Sequence, residues 1–274
     1  MIRSAVTVSL VPEARGGPFV FWDDLPGACR QAAEFGFDAV EIFGPSAEAL
    51  DANLIRPLLT DNGLQLAAVG TGGGWVRHKL HLVHPDATIR TRAVDFIRSI
   101  IDAGAEFGAP AIIGSMQGRW GDGVSAATAR GWLTEAINEL AEHASRRGVT
   151  LLVEPLNRYE TNMLNTLDAG QQFLAALAAE NVRLLADLFH MNIEEEDVGA
   201  AIARGALAIG HLHFVDSNRR PAGCGHLDFE PIVKALVAGG YQGYASAEAL
   251  PYPNSFDAAR LTITAFRRYF GDRR

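Results

Sequence analysis

Cysteine is scarce in this chain. Cys29 and Cys224 are the only two in 274 residues and neither has a CxxC partner, so no disulfide framework can form and both read as buried or incidental thiols. Long apolar runs are missing as well. The N-terminal stretch MIRSAVTVSLVPEARGG is broken by Pro12 and Glu13, so neither a signal peptide nor a membrane span is readable; a cytoplasmic protein with no membrane partner is expected. Positive charge is outweighed: a net charge of −8 and a pI near 5.5 provide no basic face for a phosphate backbone, which argues against nucleic acid as a partner. Nor does any linker interrupt the chain, and with 48% hydrophobic residues and 28 glycines in 274, one large α/β domain spanning 1–274 fits better than two small ones.

What the sequence does have is a repeat of chemistry. Glu154, Asp187, His213 and Glu248 each close a short apolar run, TLLVEP (150–155), VRLLAD (182–187), AIGHLHF (208–214) and GYASAEA (243–249), at intervals of 33, 26 and 35 residues. Each interval holds one helix and two loops, so the runs read as successive parallel strands with the four side chains at their C-terminal ends, where α/β folds build sites. Three carboxylates and one imidazole converging there make a divalent-metal site. The competing reading of any one acid is a cap on the next helix; four at the same strand-relative position favour the metal. His211 shares a face with His213, one layer deeper, and is expected to pack or to support rather than to ligate.

The remaining pattern supports a (β/α)8 barrel. Further strands are expected at 3–9, 39–43, 64–70 and 111–114, making eight, with helices at 25–35, 47–61, 86–107, 125–147, 168–179, 197–204, 229–238 and 255–270. Asp86 and Ser125 read as helix N-caps, and Gly36, Gly63, Gly108, Gly148 and Gly239 fall at helix ends.

The loops beyond the four strand ends are rich in polar groups. Glu160 follows six residues after Glu154, His190 three after Asp187 and Arg219 six after His213; His190 suits a substrate hydroxyl or a structural contact, and Arg219 brings fixed planar donors. The segments EPLNRYETNMLNT, ADLFHMN and GHLHFVDSNRRPAGCG, with Glu248, resemble the xylose isomerase-like barrel superfamily and, within it, ketose 3-epimerases of the D-tagatose and D-psicose type. That resemblance covers about 150–250. It implies one divalent ion, manganese before magnesium, cobalt or zinc, on Glu154, Asp187, His213 and Glu248, with Glu160, His190 and Arg219 gripping a sugar or sugar phosphate and subunits forming dimers or tetramers. Epimerisation beside a carbonyl needs a proton removed and returned on opposite faces, a task for two carboxylates, and Glu154 and Glu248 are the candidates.

Outside that stretch the first half departs from the pattern. The run Gly70-Thr71-Gly72-Gly73-Gly74-Trp75 follows a strand, yet it is not expected to enter a helix directly and lacks the Gly-Lys-Ser/Thr ending of a phosphate loop; a flexible wall bringing Trp75 to a sugar is expected instead. Arg77, Lys79 and Arg119 are candidates for a terminal phosphate or carboxylate, Gln117 for a substrate contact, and Glu41 for a supporting acid. The same constellation also suits aldose–ketose or hydroxypyruvate-type isomerisation, or an inosose- or dehydroshikimate-type dehydration. A nuclease resembling endonuclease IV would need more strand-end ligands and a less acidic chain.

Overall fold

Apolar, β-branched runs fold as strands buried on both faces. In the computed structural model, which describes residues 1–271, they are β1 Arg3–Ser9, β2 Phe21–Trp22, β3 Ala39–Phe43, β4 Gln65–Gly70, β5 Ala111–Ile113, β6 Leu151–Val153, β7 Val182–Asp187, β8 Ile209–His213 and β9 Tyr244–Ala247. All pairings between these strands are parallel in the order β2-β1-β3-β4-β5-β6-β7-β8-β9, and β1 also pairs with β9, from Arg3 opposite Tyr244 to Val6 opposite Ala247. That last pairing closes an eight-stranded barrel among the described residues. The two-residue β2 lies outside it, against Val8 and Ser9 of β1.

Ten helices occupy the described residues: α1 Leu25–Phe35, α2 Ala52–Asp61, α3 Gly73–His78, α4 Ala87–Ala105, α5 Ala126–Arg146, α6 Leu167–Ala175, α7 Leu188–Glu194, α8 Val198–Gly205, α9 Phe229–Ala238 and α10 Ser255–Phe270. Their inward stripes pack on the outward residues of the strands, such as Val40 and Ile42 of β3 and Leu212 of β8. Asp86 and Ser125 cap α4 and α5 as expected, accepting from the N–H groups of Thr88 and Thr128.

Two expectations are corrected. The single helix expected at 47–61 is a 3-10 turn, Ala47–Leu50, followed by α2; Asp51 stands between them at ψ 117 and its carboxylate accepts from Asn53 N–H, so it ends one element and caps the next. The glycine run does enter a helix directly, α3, and is no flexible wall. Gly73 and Gly74 are buried, and a Cβ on them would lie 2.5 Å from Gly44 O and 2.7 Å from Met116 Sδ, so these glycines serve close packing.

Register places the site. Between β7 and β8 the pairing runs Leu184 opposite Ile209, then Leu185 opposite His211, so Gly210 is an extra residue and Asp187 ends up opposite His213. Without that bulge Asp187 would face Leu212, on the other side of the sheet. A Cβ at Gly210 would lie 2.6 Å from Arg183 Cβ, which is why a residue without one stands there.

Candidate active site

The four strand-end side chains converge. Glu154 and Glu248 follow directly on β6 and β9, Asp187 and His213 end β7 and β8, and one ligand atom from each lies within 4.8 Å of all the others. His213 Nδ1 is 3.0 Å from Asp187 Oδ2, 3.5 Å from Glu154 Oε1 and 3.7 Å from Glu248 Oε2. Asp187 fulfils both readings of a strand-end acid, because Oδ1 accepts from the N–H groups of Phe189 and His190 at the start of α7 while Oδ2 turns to the cluster.

This set fits a divalent cation. Glu154 Oε1 is buried with no hydrogen-bond partner, an unusual state for a carboxylate unless an ion completes it. Burial pushes the Glu154 and Glu248 carboxyls above the ordinary range, with their acidic neighbours adding to it. Atoms each about 2.1 Å from one ion lie no more than about 4.2 Å apart, close to the spacing already present. A Cβ at Gly114 would run into Glu154 Oε2, so that glycine leaves the carboxylate its place.

The far side of the imidazole is held too. His213 Nε2 lies 3.1 Å from Glu41 Oε1, and His211 Nε2 lies 2.7 Å from Glu41 Oε2, one layer deeper in the barrel. Burial alone would raise the Glu41 carboxyl, but His213 and His211 hold it below the ordinary carboxylate range. This carboxylate–imidazole pairing is how metal-binding histidines are oriented.

Above the cluster, Arg219 donates to Glu248 at 3.0 Å and to Glu160 at 3.2 Å, and its guanidinium lies over the Phe189 ring at 4.7 Å. Arg219 has a left-handed backbone, φ 60, held by its loop. Buried Asp216 builds that loop by accepting from the N–H groups of Ser217, Gly223 and Leu227, and Leu250 N–H reaches back to Arg219 O at 2.7 Å. His190 is buried; the N–H of Asn157 donates to its Nδ1, so the ring proton sits on Nε2, 3.9 Å from Glu154 Oε1. Burial holds this histidine below its usual range, hence neutral. Asn157 also donates to Glu160 at 3.2 Å, and neither Asn157 nor Asp216 was singled out from the sequence, although both lie in the polar segments after strand ends.

The first-half candidates divide. Trp75 and Arg119 line the cavity over the cluster. Gln117 does not: it is fully buried, donating to the carbonyls of Gly114 and Glu154. Lys79 is exposed, its ammonium 5.0 Å from the centre of the Trp75 ring and outside the cavity lining, and Arg77 is paired with Glu13 at 3.1 Å, so neither joins Arg119 in an anion site. No helix of the described residues is long and apolar enough to cross a membrane.

Comparison with known proteins finds a family and relatives for this chain. The family model described as xylose isomerase-like TIM barrel matches residues 29–269. The L-ribulose 3-epimerase of Mesorhizobium japonicum is 33% identical over 229 residues, 82% of this chain and 75% of that protein. The 3-dehydro-D-guloside 4-epimerase of Escherichia coli is 29% identical over 232 residues, 80% of this chain and 84% of that one. Among solved structures, a D-psicose 3-epimerase crystallised in the presence of D-fructose shares the fold with a TM-score of 0.80 at 24% identity, covering 99% of this chain and 100% of that one.

Proposed function

Since the chain belongs to the xylose isomerase-like TIM barrel family, we propose that it is a metal-dependent carbohydrate epimerase that inverts the carbon beside a ketose carbonyl, at C3. The observation that carries this reading is the pair Glu154 and Glu248 converging on one imidazole nitrogen, 3.5 and 3.7 Å from His213 Nδ1, with Arg219 on Glu248 and His190 beside Glu154.

In this reading one glutamate removes the proton from C3 and the other returns one to the opposite face. A divalent ion on Glu154, Asp187, His213 and Glu248 would polarise the carbonyl and take up developing negative charge, an effect worth several kcal/mol. His190, neutral with its proton on Nε2, donates to a substrate oxygen, and Glu160 accepts from a hydroxyl. Arg219 holds the carbonyl end with a planar fork while keeping Glu248 in place. Manganese as the ion and a homodimer or homotetramer as the assembly belong to the same reading, on the resemblance of the EPLNRYET, ADLFHMN and GHLHFVDSNRR segments. The guloside 4-epimerase among the relatives favours a second reading, inversion at C4 beside a 3-keto group, with the same residues in the same roles.

The test is turnover of the manganese-loaded protein on a panel of ketoses in deuterated water, with NMR locating the exchanged carbon. Deuterium at C3 together with the C3 epimer is expected. Deuterium delivered to C1 would mean an aldose–ketose isomerase, and an absorbing dehydrated product a dehydratase; either would displace the proposal.

A further inference from the structure

The cavity over the cluster has a volume of about 780 Å3. A ketohexose has about twelve heavy atoms; granting each the ~30 Å3 of a water molecule in the liquid, it fills at most about 360 Å3. More than half of the space therefore lies beyond the sugar held at the metal end.

That outer part has its own lining. Trp75 and His81 meet edge to face at 5.7 Å, and the His81 and His84 rings lie 5.0 Å apart. His84 Nδ1 accepts from Asp86 N–H, which puts its proton on Nε2. His81 Nδ1 is buried with no hydrogen-bond partner, and burial, with His84 beside it, pushes the imidazole down to about 4, so the ring is neutral at pH 7. An indole with two imidazoles suits a pyranose ring, whose C–H face packs on the aromatic while hydroxyls find the ring nitrogens.

One short loop ties this lining to the catalytic end. A side chain at Gly114 would strike Glu154, and one at Gly118 would strike His81. The residues between them, Ser115–Gln117, form a 3-10 turn rising about 2 Å per residue, so the two glycines stand on the order of 8 Å apart, within the reach of two linked sugar rings. The cations nearby are engaged elsewhere: Arg15 with Asp23, Arg77 with Glu13, and Arg119 with the Tyr159 carbonyl, while Glu13 and Asp122 line the same opening. A dianionic phosphate gains little in such company.

The geometry points to an outer sugar subsite at Trp75, His81 and His84 that takes a second, uncharged ring carried on a ketose hydroxyl remote from the carbonyl. The substrate class is then a ketose-containing disaccharide with its carbonyl free. This inference rests on the epimerase reading and narrows its substrate. The experiment compares isomaltulose, whose fructose unit carries glucose on O6, with D-fructose and fructose 6-phosphate, following deuterium exchange by NMR. A kcat/KM at least about tenfold higher for isomaltulose is expected, and His81→Leu and Trp75→Leu should each shrink the ratio of isomaltulose to fructose. Exchange with fructose or its phosphate at equal or higher kcat/KM, or an unchanged ratio in both variants, overturns the subsite and leaves the epimerase reading intact. Absence of exchange with all three removes the epimerase reading for these ketoses, and the subsite with it.

Discussion

Nε2 of His213 lies 3.1 Å from Oε1 of Glu41, a residue 172 positions earlier on a strand that is not a neighbour of its own. The contact crosses the barrel interior and aims Nδ1 at Asp187, Glu154 and Glu248. Supporting partners of this kind are typically worth 10- to 100-fold in metal affinity. Glu41→Gln should therefore weaken manganese binding by about tenfold or more while the fold persists, as measured by competition with a chelating dye and by circular dichroism. Unchanged affinity would show that the imidazole needs no such anchor.

Glu154→Gln and Glu248→Gln should each lower turnover by at least about a hundredfold, the usual scale for losing a general acid or base. Because both carboxylates also face the metal cluster, metal content must be measured alongside the rate. Near-normal turnover of either variant at full occupancy would refute the two-carboxylate assignment.

Arg219→Lys retains a charge but loses the fork that reaches Glu160 and Glu248 together. A marked fall in kcat/KM with metal affinity little changed is the expected result. Wild-type kinetics, or loss of the metal, would count against its role over the substrate.

Chelation should abolish activity and preserve most secondary structure, because the helix–strand core is built independently of the cluster. A ligand present at a hundred times its Kd adds about 2.7 kcal/mol of stability, so the metal-loaded protein should melt several degrees higher. Far-ultraviolet circular dichroism with and without EDTA checks both halves; global unfolding on chelation would contradict this.

Cys29 is completely buried, and burial pushes its thiol up to about 11, so the reactive thiolate is a minor form until the pH rises through that value. At pH 8 a thiol reagent should label the half-buried Cys224 before Cys29, and Cys29 only after denaturation. Fast labelling of Cys29 in the native protein would show that the α1 packing opens readily.

Much of this was legible in one dimension. Hydrophobic periodicity located eight barrel strands and most of the helices, because a strand buried on both faces and an amphipathic helix each leave a local pattern. The acids and histidine were legible because each ends such a run. Glu160, His190 and Arg219 stood out only as polar residues a fixed distance further on.

Tertiary structure decided which way those side chains look. The bulge at Gly210 brings Asp187 opposite His213, a one-residue shift with no signature in composition or period. Closure of β1 on β9 completes the ring across which Glu41 meets His211 and His213, whereas the sequence marked Glu41 as a candidate supporting acid without showing which residues it supports. Gln117 and Lys79 lie near the mouth in sequence, yet one is turned into backbone carbonyls and the other out to solvent. His81 and His84, in a loop without periodicity, became partners only through packing. Local propensity specifies elements, whereas register and closure, set by contacts between residues far apart in the chain, specify which of their side chains share a site.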